Sequence, residues 1–371
     1  VSPDDRLIIV YTSGTTGRPK GAVHTHAIVR HEVAICRWRN LTHEDRFIAY
    51  LPFFHVGAGF TIIIPCVITG ASMVLMEAFD PREALRTVER ERVTQMDGIP
   101  THFIMMLDHP DLPKFDVSSL RGGWVGGAPV PKEVVDGMIH RLGMRDLMKV
   151  YGMTETTSVT TFTRIGDPIE LISTTDGVPI ADYIELRIGD PATGREQPAG
   201  TAGEICVRGP IVMQGYYKQP EETARAIDAE GWFHTGDLGV RHANGYLTVT
   251  GRLKDMFIVG GTNAYPAEIE AFLHTHPKVK QAYVIGVPDH RLGEVGMAFV
   301  ELKEGQQATE EEIVKFFQGR MANYKIPRHV RFATEFPMTP SGKIQKFRLR
   351  EQALSQLQRG PGGPVPCGGA A

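Results

Sequence analysis

The sequence predicts an α/β unit, then a small β unit (a β-barrel or antiparallel sheet), then a compact α+β unit. Three observations predict it. Residues 1–176 alternate apolar strand-like runs with amphipathic helical stretches, the rhythm of a mostly parallel, helix-covered sheet. Residues 177–251 hold short strand-like runs between Gly, Pro and Asn turns. Residues 252–350 mix helices and strands, and residues 351–371 end in GPGGPVPCGGAA, a composition expected to stay disordered because it buries too little.

Each element follows from its pattern. RLIIVY reads as a strand, followed by the loop YTSGTTGRPKG at 11–21 and a helix from about Thr25. RFIAYLP, ASMVLME, VTQMDGI, GGWVGG and LMKVYG read as further strands. Between them, PREALRTVERER and PKEVVDGMIHRLG carry helical spacing, the first opened by a proline at a helix-start position. DYIELRI, AGEICVRG and GYLTVTG are the short strands of the middle unit. The last unit reads as helix PAEIEAFLHTH, strands KQAYVIGV and GMAFVEL, helix TEEEIVKFFQGRM and strand HVRFATEF.

Composition excludes several function classes. The net charge of −3 and the lack of a basic stripe argue against a nucleic-acid partner. The longest apolar run, FTIIIPCVI at 60–68, is short and broken by Pro65, so it reads as a buried segment and not an integral membrane segment. The opening residues carry no basic signal-peptide start. Cys36, Cys66, Cys206 and Cys367 show neither metal-ligand nor disulfide spacing, which suits a reducing, cytoplasmic setting.

The loop at 11–21 carries chemistry. A turn of Gly, Ser and Thr after a strand gathers backbone N–H donors and hydroxyls, and Lys20 adds a positive charge; that is a phosphate cradle. It is not a Walker loop, because Gly14 and Gly17 are three apart and Lys20 lies between Pro19 and Gly21. Read alone, SGTTG is equally an ordinary flexible turn.

As a whole, YTSGTTGRPKG resembles the phosphate loop of the adenylate-forming superfamily: acyl-CoA synthetases, peptide-synthetase adenylation domains and firefly-type luciferases. The resemblance continues in order through LPFFHVGAG (51–59), GGAP (126–129), YGMTET (151–156), GWFHTGDLG (231–239), GRLKDMFIVGG (251–261) and PMTPSGKIQK (337–346). It therefore covers nearly the whole chain, and it implies an acyl-CoA synthetase-like fold. In this family a long segment normally precedes the phosphate loop, so the resemblance implies an N-terminally truncated large domain with an unpaired sheet edge. The expectation is then either a proteolytic product or a homodimer that covers this edge.

The resemblance also implies site residues. Thr12, Ser13, Gly14, Thr15, Thr16, Gly17 and Lys20 would hold the nucleotide phosphates. Glu155 would ligate Mg²⁺, which takes carboxylate oxygens together with phosphate; alone it would read as a surface acid. Thr154 would contact the α-phosphate and Tyr151 would stack on adenine, where a blind reading has a core aromatic. Gly126, Gly127, Ala128, Pro129 and Gly152 would line the adenine and acyl pocket, with Phe54 and His55 on its wall. The small residues Gly57, Ala58, Gly59, Gly126 and Gly152 suggest that this pocket is roomy. Asp237 would accept both ribose hydroxyls, where the plain reading is a turn-stabilising acid, and Arg252 would reach the ribose or phosphates. Lys254 would be the hinge of a mobile C-terminal domain, and Gly260 and Gly261 would pass close to the pantetheine arm of coenzyme A. Lys343, otherwise one of several C-terminal lysines, would bridge the attacking carboxylate and the α-phosphate and then leave with its domain.

The implied reaction joins a small-molecule carboxylic acid to coenzyme A through acyl-AMP, using ATP and Mg²⁺. Residues 51–60 hold no acid to pair an α-ammonium group, and FDPRE at 79–83 lies one strand later, so an amino-acid substrate is disfavoured. The strings KDMFIVGGTNAYPAEIE and VIGVPDHRLGEVG look most like bacterial medium-chain or ring-bearing acyl-CoA synthetases. The alternatives are an adenylating enzyme that loads a carrier protein, and an ATP-binding fragment without turnover.

Overall fold

The structure is a computed structural model that describes residues 1–12, 19–128, 130–338 and 344–359. The chain divides into two compact units, Val1–Thr235 with Gly239–Val249, and Gly236–Leu238 with the residues from Thr250 onward.

The first unit is built on a seven-stranded sheet. Its strands run in the order Ser72–Leu75, Arg46–Ala49, Gln95–Met96, Gly122–Gly126, Asp146–Tyr151, Thr161–Phe162, Val178–Pro179. The first five pair in parallel and the last two are antiparallel additions. The alternation of strands with amphipathic helices produces this arrangement, because each helix has one apolar face to bury. Helix Pro81–Glu91 shows the local logic. The Asp80 side chain accepts from the Glu83 N–H at 2.9 Å, Pro81 sits at the first turn, and Arg92 ends the helix at φ 53°. Its spacing turns Ala84, Leu85 and Val88 inward, all with no exposure. Helix Ile28–Trp38 is followed at once by the fully buried Arg39, whose Nη2 lies 2.7 Å from Asp97 Oδ1 and whose Nη1 donates to the Thr61 carbonyl at 2.9 Å.

Two expectations change here. The loop after Arg6–Thr12 does not lead directly into a helix. The chain returns as strand Lys20–Thr25, antiparallel to Arg6–Thr12, and pairs on its other side with Gly215–Tyr216; the helix starts later, at Ile28. KGAVHT is buried from Gly21 to His24, so it shows no polar–apolar alternation and hid from the pattern. The run at 60–68 is helical straight through Pro65, as a π-turn Gly59–Ile63 continuing into helix Ile64–Thr69. Proline is tolerated because it stands at the second residue of that helix. No helix among the described residues is long and apolar enough to cross a membrane.

The middle strands Glu185–Gly189, Ala202–Arg208, Phe233–Arg241 and Leu247–Arg252 form one sheet in that order. Of sheet and barrel, this open strand order supports the sheet.

The second unit carries a five-stranded sheet of Thr262–Ala264, Phe257–Val259, Gly293–Leu302, Val279–Asp289 and His329–Phe332. Helices Pro266–His274 and Glu310–Phe317 accompany it, and Phe257, Ile269, Val284, Val300, Ile313 and Phe317 form its core. A third helix, Lys346–Arg359, takes in residues 351–359, which composition had placed in a disordered tail. The reason is spacing: Leu349 and Ala353 lie one turn apart and are buried with Ile285, Val287 and Met297.

Candidate functional site

The carboxyl ends of the parallel strands position most of the predicted residues. In open α/β sheets ligands bind in the crevice at those ends. Tyr151 closes strand Asp146–Tyr151, Gly126 closes Gly122–Gly126, and the His55 segment follows Arg46–Ala49.

The turn after Tyr151 is over-determined. Thr154–Thr156 form a single 3₁₀ turn, and Thr157 and Ser158 follow at φ 57° and 69°, a left-handed conformation that costs energy for residues with a Cβ. Ser158 N–H donates to the Met153 carbonyl at 3.0 Å and Thr160 N–H to the Tyr151 carbonyl at 2.9 Å. The backbone folds back so closely that a Cβ on Gly152 would overlap the Ser158 carbonyl oxygen. From outside, His24 donates through Nε2 to the Thr154 carbonyl at 2.7 Å, and His31 through Nε2 to the Val159 carbonyl at 2.8 Å. Burial holds both rings below the usual imidazole range, His31 at about 4.

A charged chain runs from this turn to the loop strand. Tyr216 donates its hydroxyl to Glu155 Oε1 at 2.9 Å. Lys20 Nζ sits 4.9 Å over the Tyr216 ring and 2.5 Å from Glu222 Oε2. Burial, then the adjacent Glu155 carboxylate, pushes the Tyr216 phenol upward, while Lys20 holds the half-buried Glu222 below the usual carboxylate range. Thr12 pairs with Lys20 across the two strands, its hydroxyl donating to the Lys20 carbonyl at 3.4 Å. Thus Thr12, Lys20, Thr154 and Glu155 are brought together. Sequence reasoning missed Tyr216, Glu222 and His24. The string GYYKQPEET offers an aromatic, a helix-start proline and acids, but no spacing rule ties it to a lysine so far upstream. Ser13, Gly14, Thr15, Thr16, Gly17, Pro129 and Lys343 lie outside the described residues.

The acyl-side residues behave differently. His55 caps the short helix Val56–Ala58, its Nδ1 accepting from the Gly57 N–H at 3.0 Å, so the neutral ring carries its proton on Nε2. Phe54 is 82% exposed, so it is not a wall of an enclosed pocket. Gly126 and Gly152 do not mark pocket space either. The room a Cβ would need is filled at Gly126 by the Val150 side chain and carbonyl, and at Gly152 by Ser158, so both are glycines for backbone packing. Gly127 is exposed at φ 79°, and Ala128 is exposed beside it.

In the second unit, Arg252 Nε lies 3.4 Å from Asp237 Oδ1. Lys254 follows within the 3₁₀ turn Leu253–Asp255, and burial, then Arg252, lowers its ammonium. Gly260 and Gly261 have φ 56° and 85° and join Phe257–Val259 to Thr262–Ala264, with Val259 opposite Thr262. That is a two-residue type I′ hairpin, which requires positive φ at both central positions. The turn alone accounts for both glycines.

Comparison with known proteins follows this geometry. Residues 1–217 match the family model described as AMP-binding enzyme, and residues 268–343 the one described as AMP-binding enzyme C-terminal domain. The chain is 44% identical over 359 residues to a (7a-methyl-1,5-dioxo-octahydroindenyl)propanoyl:CoA ligase of Rhodococcus jostii, spanning 95% of this chain and 66% of that protein. It is 39% identical over 363 residues to the human mitochondrial medium-chain acyl-CoA ligase ACSF2, spanning 96% of this chain and 59% of that one. Among solved structures, ATP-bound MatB from Rhodopseudomonas palustris is 33% identical with a TM-score of 0.89, over 95% of this chain and 69% of that chain. The O-succinylbenzoate coenzyme A synthetase MenE of Bacillus subtilis, in complex with AMP, is 30% identical with a TM-score of 0.82, over 94% and 70%.

Proposed function

The chain belongs to the AMP-binding enzyme family, and from that premise we propose that it is an AMP-forming acyl-CoA synthetase. The carboxylate of an acid attacks the α-phosphate of ATP, giving acyl-AMP and pyrophosphate. The thiolate of coenzyme A then attacks the acyl carbon, forming the thioester and releasing AMP. The observation that carries this reading is the Lys20–Tyr216–Glu155 chain beside the loop strand, a cation fixed over the ring of one phenol and a carboxylate at its hydroxyl.

Each residue then has a task. Lys20 exchanges Glu222 for phosphate oxygens, and Thr12 with residues 13–17 supplies hydroxyl and backbone donors. Glu155 suits magnesium because its carboxylate is already oriented by a phenol donor; the ion would neutralise charge on the phosphates. Thr154 meets the α-phosphate, held through its carbonyl by His24, and Tyr151 stacks on adenine. Asp237 accepts the ribose hydroxyls, with Arg252 beside it. His55, with its proton on Nε2, serves the acyl side together with Phe54, Gly126, Gly127, Ala128 and Pro129. Lys343 stabilises the first transition state, Lys254 is the pivot for the second, and Gly260–Gly261 present backbone to the thiol arm. The proposed acid is medium-chain or ring-bearing, in keeping with the names of the two relatives.

The test is mass spectrometry of the purified chain with MgATP and pooled aliphatic, aromatic and alicyclic acids, with and without coenzyme A. Acyl-AMP in its absence, converting to acyl-CoA in its presence, is the expected result. Acyl-AMP that never becomes acyl-CoA favours a carrier-protein acceptor, and nucleotide binding without acyl-AMP overturns the reading.

A further inference from the structure

A second cluster of ligand-type side chains lies in the middle sheet, and nothing in the proposed reaction uses it. Glu204 and Cys206 are two residues apart on strand Ala202–Arg208, so both project from one face. His234 stands on the neighbouring strand Phe233–Arg241. A ligating atom of each lies within 4.8 Å of the other two. His234 Nδ1 is 2.9 Å from Glu204 Oε2 and 3.7 Å from Cys206 Sγ. On the far side of the ring, Nε2 is 3.4 Å from Asp228 Oδ2.

This arrangement has a proton deficit. A neutral imidazole carries one N–H, yet His234 faces a carboxylate at each nitrogen. With Nε2–H given to Asp228, Nδ1 points a lone pair at Glu204, and two acceptors face each other with a sulfur beside them. A cation is needed between them, either a second proton or a metal ion.

We propose that Glu204, Cys206 and His234 bind a zinc ion through Oε2, Sγ and Nδ1, with Asp228 orienting the ring through Nε2. The donor set is the mixture of thiolate, imidazole and carboxylate that zinc prefers. The spacing fits as well. Tetrahedral zinc with its usual bond lengths separates sulfur and nitrogen by about 3.6 Å, against 3.7 Å here. Glu204 must open by roughly half an ångström to reach the same geometry, which a small side-chain rotation supplies. The carboxylate on Nε2 is the usual outer partner of a zinc-bound histidine. Charge also balances: zinc offsets one thiolate and one carboxylate, while Arg187 lies 3.7 Å from Asp228. Trp232, stacked 4.3 Å from Arg187 and 4.5 Å from Arg208, roofs the same face. The fourth zinc position is left for water, since the His234 side chain is 30% exposed. Binding releases the Cys206 thiol proton and any second proton on His234. Burial, with Glu204 and Asp228 adding and Arg187 opposing, leaves that thiol at about 11.

The test uses the whole, tag-free chain, stripped with a chelator and dialysed against zinc. Elemental analysis is expected to find one zinc per chain, and cobalt in its place is expected to give a thiolate-to-metal charge-transfer band. Cys206→Ser abolishes that band, His234→Gln removes retained zinc, and Asp228→Asn weakens binding about 10–100-fold. Cys66→Ser leaves all of this unchanged. Where Cys206→Ser fails to fold, the cobalt spectrum of the unaltered chain decides thiolate ligation. Failure to retain zinc, a cobalt complex without the charge-transfer band, or zinc retention equal in His234→Gln each overturns the site.

Discussion

The turn after Tyr151 and the segment Phe53–Gly59 both follow parallel strands of one sheet at their carboxyl ends, yet they are built differently. The first is part-buried, with Thr156 and Thr157 fully inside, strained at Thr157 and Ser158, and pinned by His24 and His31 from other elements. The second buries Val56, Gly57 and Ala58 behind the His55 helix cap and leaves Phe54 facing outward. The difference teaches where a common reaction and a variable substrate part company. On the proposed function, phosphate chemistry falls to a turn that several elements hold in place. Acid recognition, on the same reading, falls to a segment whose aromatic Phe54 is exposed.

The comparison breaks most visibly at its glycines. Gly152→Ala is expected to destabilise the first unit by about 3 kcal/mol, because its Cβ collides with fixed backbone. Gly59→Ala, whose nearest atom would be the Phe53 carbonyl at 3.7 Å, is expected to stay within about 0.5 kcal/mol. Denaturant midpoints measure both, and equal losses would end the distinction.

Next in size is the charge on the turn. Glu155→Gln keeps the shape and the Tyr216 contact but is expected to lower acyl-AMP formation about 100-fold. Pyrophosphate release followed over time checks this, and a change under about threefold would remove Glu155 from its assigned role.

The His31 anchor sharpens the comparison through pH. Its folded value is depressed to about 4 from 6.5, so the unfolded chain binds the extra proton first. The stability it contributes is complete above pH 6.5 and is lost as pH falls toward 4, on the order of 3 kcal/mol. Glu32, buried on the same helix with its carboxyl pushed upward, acts in the opposite sense. The difference between the native chain and His31→Gln isolates the histidine, and parallel pH profiles would contradict the assignment.

The smallest effect belongs to the open segment. Phe54→Ala is expected to change the Michaelis constant for the acid by less than about tenfold, with folding and acyl-AMP chemistry intact. A loss of turnover with every acid at constant Michaelis constant would show that the segment takes part in the chemistry itself.

Much of this was legible in the sequence for definite reasons. PREALRTVERE shows a helix pattern with burial on one face, RFIAYLP holds a continuous apolar run of strand length, and YGMTET and Lys20 sit in strings long enough to be distinctive. Lys20–Thr25 was not legible, because a strand buried throughout by Gly, Ala, Val and His has no period. Tyr216 and Glu222 were not, because their partners are distant in sequence and paired only by the sheet. The inference of pocket space from glycines failed at Gly126 and Gly152. A missing side chain shows that something needs the room; here the claimant is the protein's own backbone.

The Lys20–Glu222 contact has a consequence for selectivity. A resting lysine already joined to a carboxylate is an occupied receptor, so an incoming anion competes with an internal rival. A singly charged ion such as acetate or bicarbonate offers Lys20 little more than Glu222 does. A polyphosphate brings several charges at once and also engages neighbouring donors that Glu222 leaves untouched. On the proposed function, the contact sets a threshold on charge density for an anion that would take Lys20 from Glu222.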